Sequence, residues 1–195
     1  MRLILLRHGL TNDNVRGVAQ GGTDTPLNEE GKRQAHHVAQ NLLGTSVPFI
    51  VTSQLQRSQE TGRIIADSLG VPLTISEVSL NETSFGIYEQ KPYTELSRAR
   101  QQNLNNIYHW KPPEGESPAE ATMRVKPLVE KWLSHDTVLA IGHGGINRVL
   151  RALLLGEEYN LEHRQRNCCI NEFHGDAIGK FTLLKWDHIV PGLHG

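Results

Sequence analysis

The sequence predicts a single α/β domain built on a mainly parallel sheet, and three observations support this. Short apolar runs occur at 2–6, 49–52, 137–141 and 181–186, each with the length of a buried strand. Between them lie longer segments whose apolar residues recur at helical spacing. No internal repeat, low-complexity tract or linker divides the chain. Strands that alternate with amphipathic helices are typical of an α/β domain with a parallel sheet.

The first strand, predicted at residues 2–6, leads into a long loop and then a helix. The loop from Gly9 to Pro26 is rich in glycine and asparagine. It is too long for a simple connection, so we expect it to be functional. A helix is predicted from about Asn28, a favourable N-cap residue, to about Leu43.

The second strand, at 49–52, is followed by another predicted helix. Ser53 is suited to the N-cap position, and Gln56 three residues later would complete a capping box. The apolar spacing then predicts that this helix continues to Leu69 and ends at Gly70.

The second half of the chain repeats the alternation. Ser117 is predicted to cap a helix, with Pro118 in its first turn and Glu120 at its third position. Apolar residues at helical spacing extend this helix to about Trp132. Three more elements are predicted after it: a strand at 137–141, a helix at about 146–155 and a strand at 181–186.

Composition and charge describe an ordinary globular domain. The 195 residues, 37% hydrophobic and 21% charged, suffice for one domain with a sizeable core. The formal net charge of -1 shows no excess of positive charge, so nucleic acid is not an expected partner. The apolar start is too short for a signal peptide, and no apolar stretch approaches the ~20 residues of a membrane span. The two cysteines, Cys168 and Cys169, are adjacent and form no disulfide framework, so a cytoplasmic location is expected.

Residues suited to phosphate chemistry follow three of the predicted strands. Ligands of α/β sheets bind beyond the carboxyl ends of the strands. The segments 7–9, 53–57 and 142–144 all occupy such positions and carry two histidines, each next to glycine, and two arginines. A like-charged set in one cleft is costly without an anion, and arginine and helix N-termini both favour one. If the three segments converge, phosphate is the expected occupant.

Five segments, in this order, resemble the signature motifs of the histidine phosphatase superfamily, the phosphoglycerate-mutase-like group. They are LRHGLT at 6–11 with Asn14, Gly17, Gln20 and Gly21, then SQLQRSQET at 53–61, LNETSFG at 80–86, GES at 115–117 and GHGG at 142–145. One Arg-His-Gly tripeptide is a weak signal, whereas five motifs in family order over residues 2 to about 175 are specific. The resemblance implies a three-layer α/β/α domain with a small cap region within about 83–116.

The resemblance also implies a role for each motif residue. His8 would be the nucleophile that forms a phosphohistidine, while Arg7, Arg57 and His143 hold the oxygens of the transferring phosphoryl group. Glu82 would protonate the leaving alkoxide and then activate water. Further contacts to phosphate and substrate are implied for Asn14, Gln20, Gly21 and Gly144. We expect the two imidazoles to face each other across a gap of about one phosphate, and we expect no metal and no cofactor, since no ligand cluster is visible.

These features predict a metal-independent phosphatase that hydrolyses small phosphomonoesters through a phosphohistidine on His8. The compact length resembles the alpha-ribazole phosphatases and the broad-specificity phosphatases. A cofactor-dependent phosphoglycerate mutase is the alternative, disfavoured because about 34 residues separate Glu82 from Ser117 and no Arg-Arg pair occurs there. A non-catalytic module that binds phospho-ligands is less favoured, since neither nucleophile nor acid is missing. The physiological phosphomonoester, residual mutase activity, the oligomeric state and the roles of four cap residues stay open: Arg98, Arg100, His109 and Trp110.

Overall fold

The computed structural model describes residues 1–190, apart from the side chains of residues 73–75, and contains one six-stranded sheet. Its strands are β1 (Arg2–Arg7), β2 (Ile50–Thr52), β3 (Leu73–Ser76), β4 (Thr137–Gly142), β5 (Ile170–His174) and β6 (Thr182–His188). The order across the sheet is β3-β2-β4-β1-β5-β6. The first four of these are parallel to one another, whereas β5 and β6 pair in antiparallel fashion. The predicted mainly parallel sheet is therefore confirmed.

Helices cover both faces of this sheet. The α-helices of residues 1–190 are α1 (Asn12–Val15), α2 (Glu29–Leu42), α3 (Gln56–Leu69), α4 (Tyr93–Gln101), α5 (Pro118–Trp132) and α6 (Gly144–Leu155), of which α2, α3, α5 and α6 pack on the sheet. Successive strand residues point to opposite faces, so Leu3 and Leu5 of β1 pack against α5 and α6. Ile4 and Leu6 pack on the other face, against α2 and α3. The result is the three-layer α/β/α arrangement that the sequence predicted. No helix among residues 1–190 is long and apolar enough to cross a membrane.

Two predicted helix starts are confirmed and one is wrong. Asn28 caps α2 by accepting a 2.8 Å hydrogen bond from the Gly31 amide, and Ser117 forms the predicted capping box with Glu120. Ser53, however, does not cap α3. That helix begins at Gln56 with Leu55 as an N-cap that makes no side-chain bond. The Ser53 hydroxyl instead lies at the active-site histidines, as shown below.

Two strands and two helices, the short α1 and the nine-residue α4 (Tyr93–Gln101), were not predicted. The edge strand β3 and the antiparallel strand β5 were missed, and α1 lies inside the stretch from Gly9 to Pro26 that was predicted as loop. In β5 the polar residues Asn171 and Glu172 are both buried, so no apolar run marks the strand. The remaining elements differ from prediction by one to three residues at their ends.

Candidate active site

A cavity of about 300 Å³ lies at the carboxyl ends of β1 and β4. The parallel register pairs Arg7 of β1 with Gly142 of β4, so the next residues, His8 and His143, emerge side by side. Eight of the nine predicted site residues line the cavity: Arg7, His8, Asn14, Gln20, Gly21, Arg57, Glu82 and Gly144. The ninth, His143, is fully buried beside His8.

The imidazole of His8 is buried and fixed in one tautomer. Its Nδ1 lies 2.7 Å from the carbonyl oxygen of Gly9. A carbonyl only accepts, so Nδ1 carries the proton and Nε2 keeps its lone pair. Burial and the charges of Arg57 and Arg7 hold the pKa of His8 well below its ordinary value of 6.5. The ring is therefore neutral, and Nε2 is available as a nucleophile.

His143 is neutral as well, and both of its ring nitrogens are engaged. Arg57 Nε donates to Nδ1 over 3.2 Å, and Nε2 lies 2.7 Å from the Ser53 hydroxyl oxygen. Because Nδ1 accepts, the ring proton is on Nε2 and is donated to Ser53. Burial, followed by the charges of Arg57 and its neighbours, keeps the pKa of His143 well below the ordinary value.

The two imidazoles do not stand apart as predicted. Their ring centroids are 5.1 Å apart and the planes are inclined at 54°. Since each ring is about 3.4 Å thick at van der Waals contact, no phosphate fits between them. The expectation that the rings face each other across a phosphate-sized gap is wrong, because the adjacent parallel strands bring His8 and His143 too close together.

The two arginines are held differently. Arg57, in the first turn of α3, is 1% exposed and donates to the carbonyl oxygens of Thr23 (2.6 Å) and Gly21 (2.8 Å) besides His143. Arg7 donates through Nη1 to the Gln165 carbonyl, while its buried Nε has no partner among residues 1–190. Burial lowers the pKa of Arg57 to about 10, so this guanidinium remains charged at neutral pH. Arg7 therefore presents an unsatisfied donor, which an anion in the cavity would engage.

Glu82 is bound to the N-terminus of α6. Its carboxylate accepts from the backbone nitrogens of Gly145 (2.8 Å) and Ile146 (2.9 Å), and from the backbone nitrogen of Thr83 (2.9 Å). Arg124 positions the segment before it by donating to the Asn81 carbonyl over 3.2 Å. A negative charge is favoured at the positive end of a helix.

The four predicted substrate-contact residues all line the cavity. Asn14 Oδ1 accepts from Thr11 and Asn167, which fixes the orientation of the amide. Gln20 is 7% exposed, and its buried Oε1 has no partner among residues 1–190. Gly21 adopts a φ of +53°, where a Cβ would come within 2.3 Å of a Glu89 carboxylate oxygen.

A family model described as the histidine phosphatase superfamily, branch 1, matches residues 3–188. The chain belongs to the histidine phosphatase superfamily. The matched residues include His8, His143 and all four arginines that line the cavity.

Relatives of this superfamily member carry two kinds of name. A Yersinia enterocolitica protein named probable phosphoglycerate mutase GpmB is 34% identical over 180 residues, covering 88% of this chain and 83% of that protein. The solved mycobacterial glucosyl-3-phosphoglycerate phosphatase in complex with VO3 superposes with a TM-score of 0.86 at 26% identity, over 96% of this chain and 99% of the other. The alpha-ribazole phosphatase from Shigella flexneri gives 0.81 at 27% identity, over 100% of both chains.

Of the four cap residues whose roles were open, the structure places Arg100 close to residues that line the cavity. Arg100 is buried, donates to the Tyr93 hydroxyl over 3.2 Å and stacks 5.0 Å from the Phe85 ring centroid. Trp110 packs beside Phe85 in a small apolar cluster. Arg98 and His109 are exposed and do not line the cavity. The cap boundaries themselves remain a prediction.

Four polar cavity residues were missed by sequence reasoning: Tyr93, Arg148, Arg164 and Gln165. Arg148 follows Gly144 by four residues on α6, and residues at that spacing share a helix face. That spacing was a usable signal for Arg148. The other three come from a distant helix or an irregular segment, and only the tertiary fold brings them to the cavity. Ser53, which accepts from His143, was assigned to a helix cap instead.

Proposed function

We propose that this protein is a metal-independent phosphatase that hydrolyses small phosphomonoesters through a phosphohistidine on His8. The observation that carries the proposal is the tautomer of His8: Nδ1 donates to the Gly9 carbonyl, which leaves Nε2 unprotonated at a cavity lined with guanidinium groups. A neutral imidazole of lowered pKa is a competent nucleophile at neutral pH. The cavity volume of about 300 Å³ suits a small ligand.

In the first step, His8 Nε2 attacks the phosphorus atom in line with the ester oxygen. The N–P bond forms while the P–O bond to the leaving group breaks, and the leaving oxygen takes up a proton. Phosphoryl transfer depends mainly on positioning and on stabilising charge on the equatorial oxygens. Arg7 and Arg57, which both line the cavity, provide that charge.

Glu82 is the proposed general acid and then the general base. Its carboxylate accepts hydrogen bonds from the amides of Gly145 and Ile146 in this structure. An incoming phosphoryl dianion would compete for those amides, and in this proposal the displaced Glu82 carboxyl group gives its proton to the leaving oxygen. In the second step, the Glu82 carboxylate would take a proton from a water molecule while the water oxygen attacks phosphorus. The N–P bond to His8 breaks, and inorganic phosphate is released.

The arginines make a metal unnecessary in this proposal. Arg7, Arg57, Arg148 and Arg164 line the cavity together with one carboxylate, that of Glu82. Fixed positive charges of this kind can do the electrostatic work that a metal ion does in other phosphatases. Within residues 1–190, no group of three or more His, Cys, Asp or Glu side chains is placed to hold a metal ion.

A phosphoglycerate mutase is the second candidate, favoured by the name of the 34% identical relative. Both activities share the phosphohistidine and differ in what accepts the phosphoryl group, water or a bound sugar acid. The short segment between Glu82 and Ser117 and the phosphatase names of the similar solved structures favour water.

Phosphorus NMR of the products separates the two candidates. Purified protein would be incubated with 3-phosphoglycerate and, separately, with a panel of other phosphomonoesters, each with and without EDTA. A phosphatase releases inorganic phosphate from several esters in both conditions. Conversion of 3-phosphoglycerate to its 2-isomer without phosphate release would establish the mutase instead, and activity restored only by added metal would contradict the metal-free mechanism.

A further inference from the structure

Glu89 lies behind the wall of the cavity, and its half-buried carboxylate joins two distant segments of the chain. Its Oε1 accepts hydrogen bonds from the backbone nitrogens of Gly22 (3.0 Å) and Phe85 (2.9 Å). The same oxygen accepts from the Ser84 hydroxyl over 3.0 Å, and Oε2 accepts from the Thr23 hydroxyl over 3.4 Å. A carboxylate without a proton only accepts, so one side chain satisfies donors from both segments at once.

The first of these segments is a tight turn that forms part of the cavity wall. Gln20 and Gly21 line the cavity, and the Thr23 nitrogen closes the turn by donating to the Gln20 carbonyl over 3.0 Å. Gly21 also packs directly on the carboxylate, since a Cβ there would lie 2.3 Å from Glu89 Oε1. The turn at 20–23 is therefore both bonded to Glu89 and in contact with it.

The same turn holds the guanidinium of Arg57. The Thr23 carbonyl accepts from Arg57 Nη1 over 2.6 Å, and the Gly21 carbonyl accepts from Nη2 over 2.8 Å. The third nitrogen, Nε, donates to His143 over 3.2 Å. Because a guanidinium donates in a rigid plane, the two carbonyls set its position and its tilt. A displacement of the turn would move this charge away from the phosphoryl site.

The proposed general acid has supports of its own. Glu82 accepts from the amides of Gly145 (2.8 Å) and Ile146 (2.9 Å), which the first turn of α6 holds in place. Arg124 holds the segment before Glu82 by donating to its backbone carbonyls. Loss of the Glu89 carboxylate should therefore disturb the guanidinium of α3 more than it disturbs the acid.

From these contacts we infer that Glu89 is a positioning residue: it fixes the turn at 20–23, whose carbonyls hold Arg57 at the transferring phosphoryl group. The inference rests on the proposed phosphatase function and adds a residue that acts through Arg57 without lining the cavity. A donor that is fixed in advance stabilises the transition state without reorganisation. A displacement of about 1 Å, caused by a change away from the reacting atoms, can cost about 10²-fold in rate.

A double-mutant cycle tests the coupling between Glu89 and Arg57. The quantity measured is kcat/KM for p-nitrophenyl phosphate, which reports on the first phosphoryl transfer. Glu89→Ala is expected to lower it by about tenfold or more in the wild type, and by less than about threefold in Arg57→Lys, where the planar fork is already lost. Glu95→Ala, at an exposed carboxylate of α4 outside the cavity, is the matched control and should leave it unchanged in both backgrounds.

The cycle separates positioning from a loss of folded protein. A smaller folded fraction lowers the activity of both backgrounds by the same factor, so equal losses from Glu89→Ala overturn the inference. The leaving group supplies a second readout. A loss that acts through Arg57 is equal for an alkyl phosphate and p-nitrophenyl phosphate, whereas a loss confined to the alkyl phosphate would act through the general acid and would also overturn it.

Two milder substitutions test the hydrogen bonds themselves. In Glu89→Gln the amide oxygen can still accept from Gly22 and Phe85, and the Thr23 hydroxyl can accept from the amide nitrogen. This variant should retain at least about threefold more activity than Glu89→Ala, and equal losses would contradict the role of these bonds. If Glu89→Ala does not fold by circular dichroism, Glu89→Asp, whose carboxylate is withdrawn by one methylene, takes its place in the cycle with the same dependence on Arg57 expected.

A failure of the phosphatase proposal would look different, because the wild type would then not hydrolyse p-nitrophenyl phosphate. Calorimetric titration with inorganic phosphate still measures the coupling in that case. Glu89→Ala should weaken phosphate binding by about tenfold in the wild-type background and by less than about threefold in Arg57→Lys. The same change in affinity in both backgrounds overturns the inference.

Discussion

Glu82 Oε2 accepts a 2.8 Å hydrogen bond from the backbone nitrogen of Gly145, in the first turn of α6. The helix N-terminus is the part of the cavity best suited to an anion, because its free N–H groups and its dipole both favour negative charge. The carboxylate of the proposed acid therefore occupies an anion position of its own active site. Substrate phosphate and Glu82 would compete for it.

Gly145 should be intolerant of a side chain, unlike its neighbour Gly144. A Cβ at 145 would lie 2.4 Å from Glu82 Oε1 and 2.7 Å from the Thr83 hydroxyl, whereas a Cβ at 144 would lie 3.8 Å from Arg7 Nε. We expect Gly145→Ala to lower the free energy of unfolding by about 1–3 kcal/mol, as for overpacking. Gly144→Ala should be neutral or stabilising by up to about 1 kcal/mol. Urea unfolding measures both, and equal effects would contradict the packing around Glu82.

Glu82→Gln tests the acid role through the leaving group. The amide keeps the size of the side chain but cannot donate the carboxylic proton, and general acid catalysis is typically worth about 10²–10⁴-fold. Turnover of an alkyl phosphate should fall by a factor in that range. The rate of the first step with p-nitrophenyl phosphate should fall much less, because its leaving group hardly needs a proton. Rapid-mixing kinetics with both substrates checks this. Equal losses would remove Glu82 from the role of acid.

The two histidines of the site were predictable from sequence because the signal for them is local. His8 and His143 each directly follow an apolar strand, and the rule that α/β sheets bind ligands at the carboxyl ends placed them together. Ser53 shows where local reasoning fails. Its sequence context fits a helix cap, yet its hydroxyl is used by His143, 90 residues away. The hydrogen bond from His143, a residue distant in the chain, takes the place of the helix cap that the local sequence predicts.

The antiparallel end of the sheet shows the same limit. Asn171 and Glu172 are buried in the middle of β5, where their polar groups are satisfied by residues distant in the chain. Asn171 Nδ2 donates to the Leu5 carbonyl over 3.1 Å, and Glu172 pairs with Arg2 over 2.6 Å. A strand with such a polar centre has no period that sequence reasoning can detect.

Arg57 should be sensitive to even a conservative change. Its three nitrogens donate to His143, Gly21 and Thr23, a planar fork that lysine cannot reproduce. We expect Arg57→Lys to lower kcat/KM by about 10²-fold or more, the loss typical of a donor to the transition state. Arg63→Lys, at an exposed position on the same helix, is the control and should retain wild-type kinetics. Retained activity in Arg57→Lys would show that the fork is not used.

The buried neutral histidines should make stability depend on pH. The pKa values of His8 and His143 in the folded protein lie well below 6.5, so below that pH the unfolded chain binds more protons than the folded one. Stability then falls as pH falls, by up to about 1.4 kcal/mol per pH unit for each histidine. His8→Gln should reduce the slope between pH 6 and 5 by about 1 kcal/mol per unit, measured by urea unfolding. The exposed His36→Gln should leave it unchanged, and an unchanged slope in His8→Gln would contradict the neutral state.

The most direct test of the account is to trap and locate the phosphoenzyme. Wild-type protein would be mixed with phosphorus-labelled p-nitrophenyl phosphate, quenched in alkali, where phosphohistidine survives, and digested for mass spectrometry. We expect an acid-labile label on His8 and on no other residue, and the loss of both label and turnover in His8→Ala. A label on His143, or undiminished turnover in His8→Ala, would contradict it.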